Sequence, residues 1–142
     1  MQSGPEDCLA LIRCYYRAYE NDDRSAIEPL LHPEFTFSSP DDDRIDRTAY
    51  FDRCWPNHEQ IAWFTLVDAC ADARDALIRY RASEVSGPGF ANVEHFEFTD
   101  GLISHVDVYF GPPLTEPVSD PIPRSASRAP SGSSRKPRVR PF

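Results

Sequence analysis

The chain has 142 residues, 40% hydrophobic and 12% aromatic, with a formal net charge of −8. That length supports one domain with its own core, and the composition is that of a globular chain rather than a disordered or fibrous one. The acidic balance argues against nucleic acid as a partner, and no run approaches the roughly 18 apolar residues of a membrane-spanning helix.

In chain order, Ser3-Gly4-Pro5-Glu6 has capping-box spacing with proline in the first turn. Leu9, Ile12, Tyr15 or Tyr16, and Tyr19 follow at helical spacing. The opening residues are neither basic nor followed by an apolar run, so no secretory signal is expected and the expected location is cytoplasmic. Asn21-Asp22-Asp23 breaks the helix. Ser25 and Glu28 have the spacing of a second capping box, opening a short helix through Leu31 that Pro33 ends. Phe35, Phe37 and Ser39 alternate as a short strand, and Asp41-Asp42-Asp43-Arg44 reads as a loop. Asp46 is placed to cap a third helix, Thr48 to Trp55, stopped by Pro56.

Strands fill the rest. Ile61 to Ala69 is apolar on both faces, which leaves its register open. Ala76, Ile78, Tyr80 and Ala82 share one face of the next strand; Leu77, Arg79, Arg81 and Ser83 share the other. Ser86 to Gly89 reads as a turn. Phe90 to Gly111 is two alternating strands joined at Thr99-Asp100-Gly101, a strong hairpin signal. Glu94, Phe96 and Phe98 share the inward face of the first. Leu102, Ser104, Val106, Val108 and Phe110 are expected inward on the second, which turns Ile103, His105, Asp107 and Tyr109 outward. A carboxylate on an apolar face is costly unless paired or protonated, so Glu94 is the first residue to question. The predicted class is α+β, with three N-terminal helices packed against a curved, mostly antiparallel sheet.

The domain is expected over residues 1–111. Residues 112–142 hold 8 of the 14 prolines and 6 basic against 2 acidic residues, and are expected to form a disordered Pro/Ser/Arg-rich tail. Cys8, Cys14, Cys54 and Cys70 form no C-x-x-C pair and are expected as buried free thiols. No histidine spacing completes a zinc site, so neither a metal nor another cofactor is expected.

The element order, helix-1 pattern LIRCYYRAYENDD, segment LLHPEFTFSSP and closing FEFTDGLISHVDVYFG resemble the nuclear transport factor 2-like superfamily. Within it they are most similar to the SnoaL-like group of small bacterial proteins, over roughly residues 6–111. The resemblance implies a cone: a bent sheet wrapped around helices, often a homodimer through the sheet. It implies a range of activities, among them isomerases, polyketide cyclases, dehydratases and epoxide hydrolases, beside members that only bind ligands. Residue by residue, Tyr15 matches the oxyanion-hole tyrosine of ketosteroid isomerases and Glu94 the hole's acid. Their base position holds Ser39, before Pro40. The acid/base aspartate of SnoaL-type cyclases matches Val108, beside the outward Asp107. The Arg-x-Asp of limonene-type epoxide hydrolases is not reproduced by Arg79-Tyr80-Arg81 or Arg81-Ala82-Ser83.

The expected catalytic set is therefore Tyr15, Glu94, Asp41 and His58. Tyr15 and Glu94 would stabilise a developing enolate, and Asp41 or His58, from loops at the cone mouth, would move the proton. Tyr16, Tyr19, Ser39, Trp55, Trp63, Asn92, Phe96 and Val108 are expected to line the ligand site. The expected partner is a small apolar polyketide- or terpene-like molecule, and the expected chemistry a cofactor-free isomerisation, cyclisation or dehydration. A non-catalytic binding or assembly module and an epoxide hydrolase are the alternatives.

Overall fold

Burial follows the helical repeat from the start of the chain. In this computed structural model, which describes residues 4–116, helix α1 runs Pro5–Glu20 and buries Cys8, Ile12, Tyr15, Tyr16, Ala18 and Tyr19. Its N-cap is Gly4, whose N–H donates to Asp7 Oδ2 at 3.1 Å. The expected Ser3 cap lies outside the described residues, as does the expected tail from residue 117 onward. Helix α2 is Arg24–Ile27. Its cap is Asp23, which accepts from the Ala26 N–H at 3.2 Å, so Ser25 lies inside the helix and not at its cap. A 3₁₀ turn, Glu28–Leu30, leads into strand β1, Leu31–Ser39. Pro33 does not stop the chain before that strand. It falls between Leu31 and Thr36, where the pairing of β1 is irregular and no ladder donor is needed from it.

The acidic run is not a loop. Strand β2, Asp42–Asp46, folds back antiparallel on β1, pairing Ser39 with Asp42 and Phe37 with Ile45. Backbone pairing overrides the weak strand preference of aspartate here, and Arg44 absorbs the distortion at φ 45°. Helix α3, Arg47–Arg53, is capped as expected: Asp46 Oδ1 accepts from the Ala49 N–H at 2.9 Å. Replacing Asp46 by alanine is expected to cost about 1 kcal/mol, read as a lower midpoint in urea unfolding. A 3₁₀ segment, Trp55–Gln60, follows and buries Trp55.

Strands β3 (Ile61–Ala71), β4 (Asp75–Glu84), β5 (Gly87–Thr99) and β6 (Leu102–Pro113) complete a six-stranded sheet in the order β2-β1-β6-β5-β4-β3. Only the β1–β6 pair is parallel. The curved sheet is open, with α1 packed on β3 and α3 on β1. Strand β6 runs to Pro113. Asp100 and Gly101, at φ 55° and 76°, form the hairpin turn. Gly89 has φ 101°, and a Cβ there would sit 1.8 Å from the Ala82 carbonyl oxygen, so the β4–β5 crossing requires glycine.

One expectation about β6 fails at its first turn. Glu97 pairs with His105 but Phe98 pairs with Ile103, so Ser104 is an extra residue in a bulge. The bulge reverses the facing of the residues before it. Ile103 is fully buried, whereas Leu102 and Ser104 are half-buried. Past the bulge, Val106 and Val108 point inward and Tyr109 outward, as the alternation predicts. Cys8 and Cys54 are buried, but Cys14 and Cys70 are exposed, contrary to expectation, because they fall on solvent-facing positions of α1 and β3. Among the described residues no helix is long and apolar enough to cross a membrane.

Candidate functional site

The period-two alternation of β5 sends Asn92, Glu94 and Phe96 to the side of the sheet that the helices cover, and all three are buried. Glu94 is fully buried. Tyr16, from α1, donates its hydroxyl to Glu94 Oε1 at 2.6 Å. Tyr80, from β4, donates to Oε2 at 3.0 Å. Behind Tyr80, Asn92 Nδ2 donates to the Tyr80 oxygen at 3.1 Å, and Asn92 Oδ1 accepts from the Gly111 N–H at 3.1 Å. The polar atoms thus form a directed chain from the β6 backbone to the carboxyl group. Such a chain inside an apolar wall is strongly ordered.

Two effects oppose each other at Glu94. Burial disfavours the carboxylate, while the tyrosine hydroxyls favour it. Burial wins: the pKa rises from 4.5 to about 7, with the Tyr16 and Tyr80 hydrogen bonds pulling it back part of the way. The Tyr16 and Tyr80 hydroxyls are pushed well above their ordinary range, first by burial and next by the Glu94 charge, so they stay neutral donors. Replacing Tyr16 by phenylalanine removes one of the two hydrogen bonds that favour ionisation. The Glu94 midpoint is expected to rise by about 1 unit, followed by the carboxyl infrared band against pH. Tyr15→Phe should leave it in place.

Tyr15 was expected to be the partner of Glu94, but its hydroxyl bonds Tyr50 Oη at 2.9 Å. Tyr19 also bonds Tyr50 through a very short contact. Tyr50, on α3, is thus the hub of a second buried group, and its hydroxyl is pushed upward chiefly by burial. Phe35 and Phe37 pack on its ring. The tyrosine one residue on, Tyr16, takes the position facing Glu94.

The remaining predicted residues divide by location. Phe96 stands edge-on to Tyr15 at 5.3 Å, and Val108 is the cross-strand partner of Glu94. Trp55 packs on Tyr19 at 4.8 Å. Trp63 is half-buried, and its neighbour Phe64 supplies the ring that meets Tyr16 at 4.7 Å and Tyr80 at 5.2 Å. Ser39 donates to Asp42 Oδ2 at 3.0 Å. Asp41 is exposed at the β1–β2 turn, whereas Asp42 is buried and paired with Arg53 at 2.6 Å. Cys54 lies 3.9 Å from Asp42, and burial pushes its thiol up to about 12. His58 Nδ1 engages Asp22 at 2.6 Å and its ring stacks on Trp55. Asp41 and His58 are therefore not brought to Glu94. Tyr80, Tyr50 and Asp42 are the residues the expected set lacks. The inward alternation of β4 already pointed to Tyr80.

The SnoaL-like domain family matches residues 12–106 of the chain. The chain belongs to that family. Among solved structures, this SnoaL-like protein is similar to a candidate ketosteroid isomerase from Kribbella flavida DSM 17836. That likeness has 19% identity over 81% of this chain and 85% of the other, at TM-score 0.64. A candidate polyketide cyclase from Xanthomonas campestris pv. campestris is 17% identical over 75% of this chain and 92% of its own, at TM-score 0.63. An LEH-like epoxide hydrolase from M. tuberculosis is 19% identical over 75% and 84%, at TM-score 0.62. At these identities the likeness is one of fold. No curated protein matches the chain. The arginines nearest an epoxide-hydrolase pattern face outward in this SnoaL-like protein: Arg79 pairs with Asp68 at the surface, and Arg81 is exposed.

Proposed function

We propose that this SnoaL-like protein takes a small apolar carbonyl compound into its cone and that Glu94 acts there as a general acid. The reaction class is a cofactor-free isomerisation, cyclisation or dehydration of a polyketide- or terpene-like molecule. One observation carries the reading: a fully buried carboxyl group between two tyrosine hydroxyls, with its pKa near 7. A group balanced in that range can give and regain a proton at neutral pH. Tyr16 would hydrogen-bond the oxygen on which charge develops. The proton removed from carbon would go to Asp42, the buried carboxylate bonded to Ser39 at the position where isomerases of this superfamily carry their base. This replaces Asp41 and His58 in that role. The cyclase acid/base position, Val108, lies directly across from Glu94, so the acid stands one strand over.

The test is turnover of a β,γ-unsaturated cyclic ketone, followed by the absorbance of the conjugated product. Glu94→Gln is expected to lower kcat by about 10²–10⁴-fold, and Asp42→Asn to lower it also. A Glu94→Gln protein with the full wild-type rate removes Glu94 from the mechanism.

A second reading is a ligand-binding module without turnover. The packing of rings around Glu94 favours it: Tyr16, Phe64 and Tyr80 contact one another in sequence, and Phe96 closes on Tyr15 and Tyr16. A ligand then has to displace rings to reach the acid. Saturable binding of apolar ketones with no product from any of them would select this reading.

A further inference from the structure

The outer face of the β5–β6 hairpin carries a group of side chains that the Glu94 centre does not use. Residues on that face alternate with the inward set, so His95 and Glu97 on β5, and His105 and Asp107 on β6, point away from Glu94. The register sets His95 opposite Asp107 and Glu97 opposite His105. Two imidazoles and two carboxylates therefore occupy the corners of one cross-strand quadrilateral. Ligand atoms of His95, Glu97 and Asp107 all lie within 4.8 Å of one another.

Three observations separate this group from an ordinary charged surface. The Glu97 carboxylate has no hydrogen bond or ion pair among the described residues, yet it stands beside a second carboxylate. The two carboxylates sit on a diagonal of the quadrilateral, each directly opposite an imidazole. His105 is only 2% exposed, and its Nε2 makes no hydrogen bond among the described residues. Its Nδ1 is held by Thr36 Oγ1 at 2.6 Å, which aims Nε2 at Asp107 Oδ2, 3.3 Å away. Finally, His95 Nε2 is engaged by Asp75 Oδ2 at 3.1 Å, the carboxylate–histidine pairing that fixes the ring of a metal ligand. The group borders an open groove of about 400 Å³ lined by Arg74, Asp75, His95, Glu97 and Phe98, which gives an ion a path from solvent.

We propose that His95, Glu97 and Asp107 form a binding site for a divalent transition cation of the Zn²⁺ class, with His105 positioning Asp107. Mixed imidazole and carboxylate donors suit Zn²⁺, Co²⁺ or Ni²⁺. Mg²⁺ and Ca²⁺ prefer shells of oxygen alone, and Ca²⁺ takes six to eight of them. Three protein ligands leave a coordination position open. The site lies on the opposite face of β5 from Glu94 and stands independently of the acid/base reading.

The test is calorimetric titration of the untagged full chain with ZnCl₂ and, separately, CoCl₂. Binding of one ion per chain is expected, with a rise in thermal midpoint and a visible Co²⁺ absorption spectrum. His95→Ala or Asp107→Asn should weaken binding by more than 100-fold. His105→Gln should weaken it by about 10- to 100-fold. His32→Ala, at a separate, half-buried histidine facing Asp100, should leave it unchanged. If a variant fails to fold, shifts of the His95 and His105 imidazole NMR signals on adding Zn²⁺ to the native chain decide the question. Absence of saturable Zn²⁺ binding, binding that survives His95→Ala in a folded protein, or Mg²⁺ competing on equal terms would overturn the proposal.

Discussion

Glu94→Gln is expected to abolish a fall in stability of about 3 kcal/mol that the native protein shows as pH rises through neutrality. The rise of the Glu94 pKa from 4.5 to about 7 corresponds to that amount at about 1.4 kcal/mol per unit. The sign follows from proton binding. Between pH 4.5 and about 7 the folded protein holds a proton at Glu94 that the unfolded chain has released, so raising the pH favours unfolding. This contribution is fully present below pH 4.5 and is lost as pH passes about 7. A glutamine at the same place cannot ionise. Its amide leaves one of the Tyr16 and Tyr80 donors facing an NH₂ group, a cost that does not vary with pH. Urea titrations of both proteins from pH 4 to 8 separate the two effects, because the difference between the curves cancels every other titrating group. Two parallel stability curves would mean that Glu94 titrates alike in the folded and unfolded chains and that the tyrosines fully offset burial. The general-acid reading would then lose its physical basis.

The same carboxyl group shows what a linear sequence can and cannot disclose. Strand alternation alone turned Glu94 inward, and the Asp100-Gly101 turn fixed the hairpin that carries it. The partner on α1 was harder. Tyr15 and Tyr16 lie about 100° apart on a helix, and the cone encloses α1 so broadly that both are buried. Spacing therefore cannot choose between them; the choice depends on how α1 rotates against β3 and α3. Tyr50 draws Tyr15 and Tyr19 to one side, leaving Tyr16 for Glu94. The acidic run at 41–44 reads as a loop in the sequence for a similar reason. Three aspartates look like a solvated loop until Arg53 and Ser39 are placed around Asp42 by chain segments that only the fold brings together. The Ser104 bulge is the third case. A single extra residue reverses the facing of Leu102 and Ile103, and no turn or charge signal in the sequence marks it. The outer-face cluster was hidden in a different way. His95-x-Glu97 and His105-x-Asp107 are each unremarkable alone and gain meaning only from the register that sets them side by side.

Phe96→Ala is expected to be the most damaging single truncation at the site, at about 3–5 kcal/mol. Phe96 is fully buried on the same face as Glu94, and its ring lies 5.3 Å from Tyr15 and 6.0 Å from Tyr16. Removing it leaves a void bounded by both tyrosines, and a core this rich in aromatic rings cannot collapse into the space without breaking the Tyr16–Glu94 hydrogen bond. Two consequences go beyond stability. Water reaching the void would relieve the burial that raises the Glu94 pKa, so its midpoint should fall below about 7. An apolar guest such as benzene, by displacing that water, should restore part of the lost stability and of the raised midpoint. Urea unfolding with and without benzene measures both the cost and the rescue. A cost below about 1 kcal/mol would have a definite meaning: only a site able to rearrange at little expense escapes the cavity penalty. The rings around Glu94 would then be the movable wall through which a ligand reaches the acid. A full penalty with benzene rescue would instead describe a rigid interior, in which ligand access requires the cone itself to open.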